Sequence, residues 1–183
     1  MDMKNLLDSL PDNPVLLSNG QRTLDRAALA QRVERVAAAL QARQAPRAAV
    51  AILADNDPEW LVVDLATQAL GVALVPLPLF FTPEQWLHVM HTSGAQSLFC
   101  ADRGLAVLLG FVDPVTCDSP LGLYEQPYAA TLPLLDGVQK ITFTSGTTAT
   151  PKGVCLGTQQ QWDLARALQA ALAPLHLSVT CAC

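Results

Sequence analysis

Two segments of this chain carry the same punctuation. Asp57-Pro58-Glu59 and Thr82-Pro83-Glu84 each set a capping residue, a proline and a glutamate in a row, and Gly71 and Gly94 follow them downstream. A cap side chain accepts a free N–H of the first turn. Proline has no N–H to lose there, and glutamate favours the positive helix end. Glycine just past the last turn reads as a stop. Around these helices lie short apolar runs, Ala49–Ala54, Val72–Pro76 and Ser97–Ala101, suited to buried strands. Strand, helix and strand joined by short links close as βαβ units, so the expected fold is α/β, a mainly parallel sheet with flanking helices.

Residues 1–22, with Pro11, Pro14 and Gly20, form a loosely ordered lead-in, and one domain is expected over 23–183. Thr23 is the expected N-cap of an amphipathic helix from Asp25 to Arg43, with Leu29, Val33, Val36, Ala37 and Leu40 on its apolar face and Pro46 ending the region. The capped segments predict helices over Trp60–Leu70 and from Pro83 to about Thr92. From Asp102 to Gly137, Pro114, Pro120, Pro127 and Pro133 predict loop with short elements. Lys140–Thr144 and Val154–Leu156 read as strands. Gln159–Leu172 reads as a helix with Trp162, Ala165, Leu168, Ala171 and Leu172 roughly on one side. Pro174 ends it, and Leu175–Thr180 resembles the start of a strand.

Half the residues are apolar (51%) and 15% are charged, a globular balance, and the net charge of -5 gives no general attraction for nucleic acid or an anionic membrane. The N-terminus lacks a basic stretch followed by an apolar one, and no apolar run of about 18 residues predicts a membrane span. The odd, scattered set Cys100, Cys117, Cys155, Cys181 and Cys183 suggests reduced thiols in a cytoplasmic protein. Cys181 and Cys183 alone make a poor metal site. His88 and His91, three apart on a helix, lack carboxylates at ligand spacing and read as a solvated or half-buried face. His176 reads as a packing residue, and Trp60 and Trp86 as core anchors.

The chemistry is concentrated in Thr144–Gly153. Gly146 and Gly153 permit backbone angles that let successive N–H groups converge on one point. Thr144, Ser145, Thr147, Thr148 and Thr150 add hydroxyl donors, Lys152 adds a positive charge, Pro151 stiffens the turn before it, and no carboxylate opposes an anion. Such donors suit phosphate oxygens. The loop is not the common P-loop. Pro151 stands where that pattern needs glycine, Gly153 stands where it needs Ser or Thr, and Val154-Cys155-Leu156 follows in place of a helix. A plain polar turn between strands would not need this concentration of glycine, proline, lysine and hydroxyls.

Phe143–Val154, FTSGTTATPKGV, closely resembles the signature loop of the adenylate-forming enzymes: acyl-CoA synthetases, luciferases and the adenylation domains of peptide synthetases. Ala149 departs from the pattern, where glycine is usual. The likeness continues through Thr23–Leu40, Val50–Glu59, Gly71–Glu84 and Ser93-Gly94-Ala95, so it runs in order over roughly residues 20–165. It implies that Thr144, Ser145, Gly146, Thr147, Thr148, Lys152 and Gly153 hold the β- and γ-phosphates of ATP, with a magnesium ion joining them. It implies too that a carboxylate attacks the α-phosphorus, pyrophosphate leaves, and the acyl-adenylate passes on, often to coenzyme A. It places Pro76–Phe81 as a strand exit packed in the core.

The family's adenine-binding, magnesium-binding and ribose-binding residues, its hinge and its small C-terminal domain lie beyond the signature loop, and 30 residues follow Gly153. The resemblance therefore implies the N-terminal portion of a large adenylate-forming domain, with no catalytic residue of its own. That portion is expected to be poorly soluble and inactive alone. It is either a fragment of a ligase that activates a fatty or other aliphatic acid, or a non-catalytic, phosphate-binding partner of a split enzyme.

Overall fold

The computed structural model describes residues 16–42, 49–126, 136–144 and 150–172. The expectations for residues 1–15, Arg43, Pro46, Pro127, Pro133, Ser145–Ala149, Pro174, Leu175–Thr180, His176, Cys181 and Cys183 fall outside the described residues.

The described end of the lead-in, residues 16–22, is more structured than expected. β1 (Leu17–Ser18) pairs antiparallel with β2 (Thr23–Leu24). Asn19 Oδ1 closes the turn between them, accepting from the N–H of Gln21 at 3.0 Å and of Arg22 at 2.7 Å. Thr23 thus belongs to a strand and does not cap α1 (Arg26–Gln41). Asp25 does so, its carboxylate accepting from the Ala28 N–H at 2.7 Å. Leu29, Val33, Val36 and Leu40 form the buried face of α1, as the spacing requires.

β3 (Ala49–Leu53), α2 (Pro58–Leu70), β4 (Leu74–Pro76), α3 (Pro83–Ser93) and β5 (Ala95–Cys100) follow as two consecutive βαβ units. Asp57 caps α2, accepting from the Glu59 N–H at 2.9 Å. Thr82 and Gln85 form a reciprocal capping box on α3. Gly71 and Gly94 end these helices at φ 65° and 64°, left-handed positions that only glycine takes without strain.

The segment with the weak signal contains α4 (Arg103–Leu108), β6 (Asp113–Val115) and β7 (Gly122–Glu125). β8 (Val138–Thr144), β9 (Lys152–Gly157) and α5 (Thr158–Leu172) complete the described chain. Seven strands form one sheet in the order β6-β7-β5-β3-β4-β8-β9. The inner strands β5, β3, β4 and β8 run parallel, and β6, β7 and β9 add antiparallel edges.

Alternation along the strands separates two cores. Ala49, Ala51, Leu53, Val75, Ile141 and Phe143 face Trp86, Val89 and Met90 of α3 and Ala106 of α4. Val50, Ile52, Leu74 and Phe99 face the buried sides of α1 and α2. The result is a three-layer α/β arrangement with a hydrophobic core on each sheet face.

One packing expectation needs correction. Leu77 and Phe81 are buried after β4, but Leu79 and Phe80 project into solvent, with Phe80 79% exposed. α5 buries no residue: Leu164, Leu168 and Leu172 are exposed, and a cleft of about 260 Å³ lined by Leu65, Gln68, Gln139 and Trp162 separates it from α2 and β8. Among the described residues nothing covers that apolar face.

Candidate functional site

The expected phosphate loop joins β8 to β9. Ile141 and Phe143 alternate into the core, which fixes β8 in the sheet. β9 returns antiparallel at the sheet edge, with Thr144 directly opposite Lys152 and Phe143 opposite Gly153. Cross-strand partners project from the same sheet face, with Cβ atoms about 5 Å apart. The Thr144 hydroxyl and the Lys152 side chain therefore leave the hairpin mouth side by side, and both residues are exposed. Among the described residues Lys152 pairs with no carboxylate. Ser145, Gly146, Thr147 and Thr148 lie outside the described residues.

Gly153 has a different role from the one its loop position suggests. It is not among the glycines with positive φ. A Cβ at this position would approach the Phe143 ring to 3.0 Å and Ile141 Cγ2 to 3.3 Å. Glycine is needed for space against a buried aromatic ring, not for an unusual backbone angle.

Two side chains outside the loop anchor its ends. On β8, Lys140 Nζ donates to Asp64 Oδ2 of α2 at 2.9 Å, and both side chains are largely buried. The same ammonium lies 5.1 Å from the centre of the Trp60 ring. Trp60 is thus a half-buried platform for a cation, while Trp86 is the expected core anchor, its Nε1–H donating to the Pro78 carbonyl at 2.9 Å. Asp64 Oδ1 is buried without a hydrogen-bond partner, so among the described residues Lys140 alone compensates that carboxylate. At the other end, His88 Nε2 of α3 lies 3.2 Å from the Pro151 carbonyl. His91 is exposed one turn away. Lys140 and Asp64 went unmarked in the sequence because their pairing joins positions far apart in the chain.

A second buried carboxylate sits at the start of α2. Glu59 Oε2 accepts from Arg32 at 2.9 Å and Oε1 from the Ser119 hydroxyl at 2.9 Å. Burial raises its pKa above the usual 4.5, against the lowering influence of Ser119 and Arg32. Burial also raises the Cys100 and Cys117 thiols, which holds them protonated, and Cys100, Cys117 and Cys155 are free. Among the described residues no three His, Cys, Asp or Glu side chains cluster to hold a metal, and no helix is long and apolar enough to cross a membrane.

The fold, a mainly parallel α/β sheet with flanking helices, recurs in solved adenylate-forming enzymes. The fold matches ATP-bound MatB from Rhodopseudomonas palustris with a TM-score of 0.67 and 22% identity, covering 92% of this chain and 37% of that one. It matches the O-succinylbenzoate CoA synthetase MenE of Bacillus subtilis, in complex with AMP, with a TM-score of 0.67 and 21% identity, covering 98% of this chain and 46% of that one. In sequence, residues 6–180 match the model of the AMP-binding enzyme family, and the chain belongs to that family.

The chain is 30% identical over 183 residues to an indenyl-propanoyl:CoA ligase of Mycobacterium tuberculosis, covering 86% of this chain and 36% of the relative. It is 29% identical over 130 residues to a peroxisomal long chain acyl-CoA synthetase of Arabidopsis thaliana, covering 55% of this chain and 19% of the relative. It thus spans well under half the length of these curated relatives.

Proposed function

We propose that the β8–β9 hairpin binds the β- and γ-phosphates of ATP for a ligase that converts a carboxylic acid to an acyl-adenylate. The observation that carries this reading is the cross-strand pairing of Thr144 with Lys152, which sets a hydroxyl beside an exposed ammonium that pairs with no carboxylate among the described residues. Lys152 neutralises phosphate charge, and Thr144, with Ser145, Gly146, Thr147 and Thr148, supplies donors. A magnesium ion would join these phosphates and share in neutralising their charge.

The acid is fatty or otherwise aliphatic and coenzyme A is the acceptor. The similarity to an acyl-CoA synthetase and a CoA ligase supports both assignments. The chain alone does not complete the reaction. The uncovered face of α5 and the exposed edge strand β9 are where the remainder of the ligase packs.

Calorimetric titration with ATP and magnesium tests the phosphate site. Lys152→Ala removes a charge-assisted contact of about 1.5–3 kcal/mol and weakens binding by about tenfold or more. Equal affinity in both proteins defeats the reading. Pyrophosphate release with a panel of aliphatic acids tests the rest: robust turnover by the chain alone would show that it needs no remainder.

A further inference from the structure

We infer that His88 is a positioning residue, holding the peptide plane that precedes Lys152 and thereby aiming that lysine; the inference rests on the phosphate-site reading above.

The geometry begins with the acceptor. A carbonyl oxygen can only accept, so the 3.2 Å contact to Pro151 requires a proton on His88 Nε2. Thr92 Oγ1 lies 3.4 Å from the same nitrogen, the longer of its two contacts. Pro151 precedes β9, and as a proline it brings no N–H of its own to the turn. Its carbonyl shares one rigid, planar unit with the Lys152 N–H. Fixing that oxygen orients the 151–152 peptide and the direction in which the Lys152 backbone enters β9.

The donor is well placed to act as a fixed post. α3 is capped at both ends, carries Trp86, Val89 and Met90 into the core, and is tied to Pro78 through the Trp86 indole. His88 is half-buried between this rigid helix and the hairpin. Of the two peptide bonds that flank Lys152, the one before it is held from outside the hairpin. Across the hairpin, Lys152 has only Thr144 as a register partner.

The test uses His88→Leu, which keeps bulk and helix propensity but has no donor, and His88→Gln, which returns an N–H at similar reach. In the free chain, amide hydrogen exchange at Lys152, Gly153 and Val154 should quicken in the leucine variant and slow again in the glutamine variant. Val89 and Met90 should keep their protection. Equal exchange in all three proteins, or a glutamine variant no better than leucine, overturns the inference.

ATP affinity supplies the second readout. His88→Leu should weaken binding about three- to tenfold, the loss expected for one neutral hydrogen bond. Glutamine should restore most of it, and the leucine change should add nothing in a Lys152→Ala background. If His88→Leu binds as the wild type while Lys152→Ala does not, His88 has no positioning role and the phosphate site stands. If Lys152→Ala binds as the wild type, the phosphate reading fails, and the exchange measurement alone decides whether His88 holds the peptide.

Discussion

Replacing Lys140 by methionine should destabilise the protein by about 3 kcal/mol. The change keeps most of the apolar stem but removes the group that, among the described residues, compensates Asp64. Asp64 has 9% of its side chain exposed, its Oδ1 already lacks a hydrogen bond, and its Oδ2 would lose the 2.9 Å bond to Lys140. Stranding a buried charge in this way costs about 3–5 kcal/mol. Lys140 is itself 16% exposed, so some water can reach the gap and the lower end applies. Loss of the ammonium over Trp60, 5.1 Å from the ring centre, falls within the same range. For a chain of this size each kcal/mol moves Tm by about 2–4 °C, so Tm should fall by about 6–12 °C. Urea unfolding of the wild type, Lys140→Met, Asp64→Leu and the double variant measures it. The double variant should return to within about 1 kcal/mol of the wild type, because two buried charges have been exchanged for apolar groups. A Lys140→Met loss below about 1 kcal/mol, or a double variant costing the sum of the singles, would refute the argument.

Two further outcomes are expected. Burial raises the Glu59 pKa above 4.5, so the native chain holds that proton more tightly than the unfolded chain. The group's contribution is then fullest below pH 4.5 and declines as pH rises through the native pKa. Stability of the wild type relative to Glu59→Gln, from urea unfolding at several pH values, should accordingly rise as pH falls from 7 towards that window; the opposite slope would contradict the assignment. Gly153→Ala should cost about 1–3 kcal/mol through crowding, since its Cβ would meet the Phe143 ring at 3.0 Å. Thermal unfolding should show recovery when Phe143→Leu is added, and an alanine variant as stable as the wild type would mean that the ring has room to move.

What the sequence disclosed was mostly local. The starts and stops of α2 and α3 are legible because a cap, a proline and a glycine act within one turn of themselves. The pattern that placed β3, β4 and β5 is equally local, an apolar run of strand length. Thr23 misled because two candidate caps lie close together, and Asp25, immediately before the first helical residue, is the one whose carboxylate reaches the Ala28 N–H. β6 was hidden by Pro114, which sits inside the strand. A proline is tolerated there because β6 lies at the sheet edge, where a missing N–H breaks no inner ladder. At the candidate site, the composition of the loop pointed to Thr144, Lys152 and Gly153, and the reason for Gly153 proved to be the Phe143 ring. His88 was seen only as a helix-face residue. Its contact with Pro151 joins α3 to β9, and no short-range spacing encodes it.

β8 and β9 reach the rest of the sheet through β4. β8 joins β4 through the single register pair Leu74↔Lys140, whereas β8 and β9 pair along their length. A hairpin of neighbouring residues zips in about 1–10 μs, but β4 and β8 must first bring distant parts of the chain together. During synthesis the residues of β3 to β5 leave the ribosome before those of β8. The Lys140–Asp64 pair forms only when β8 seats against α2, so that contact reports the arrival of the hairpin on the sheet.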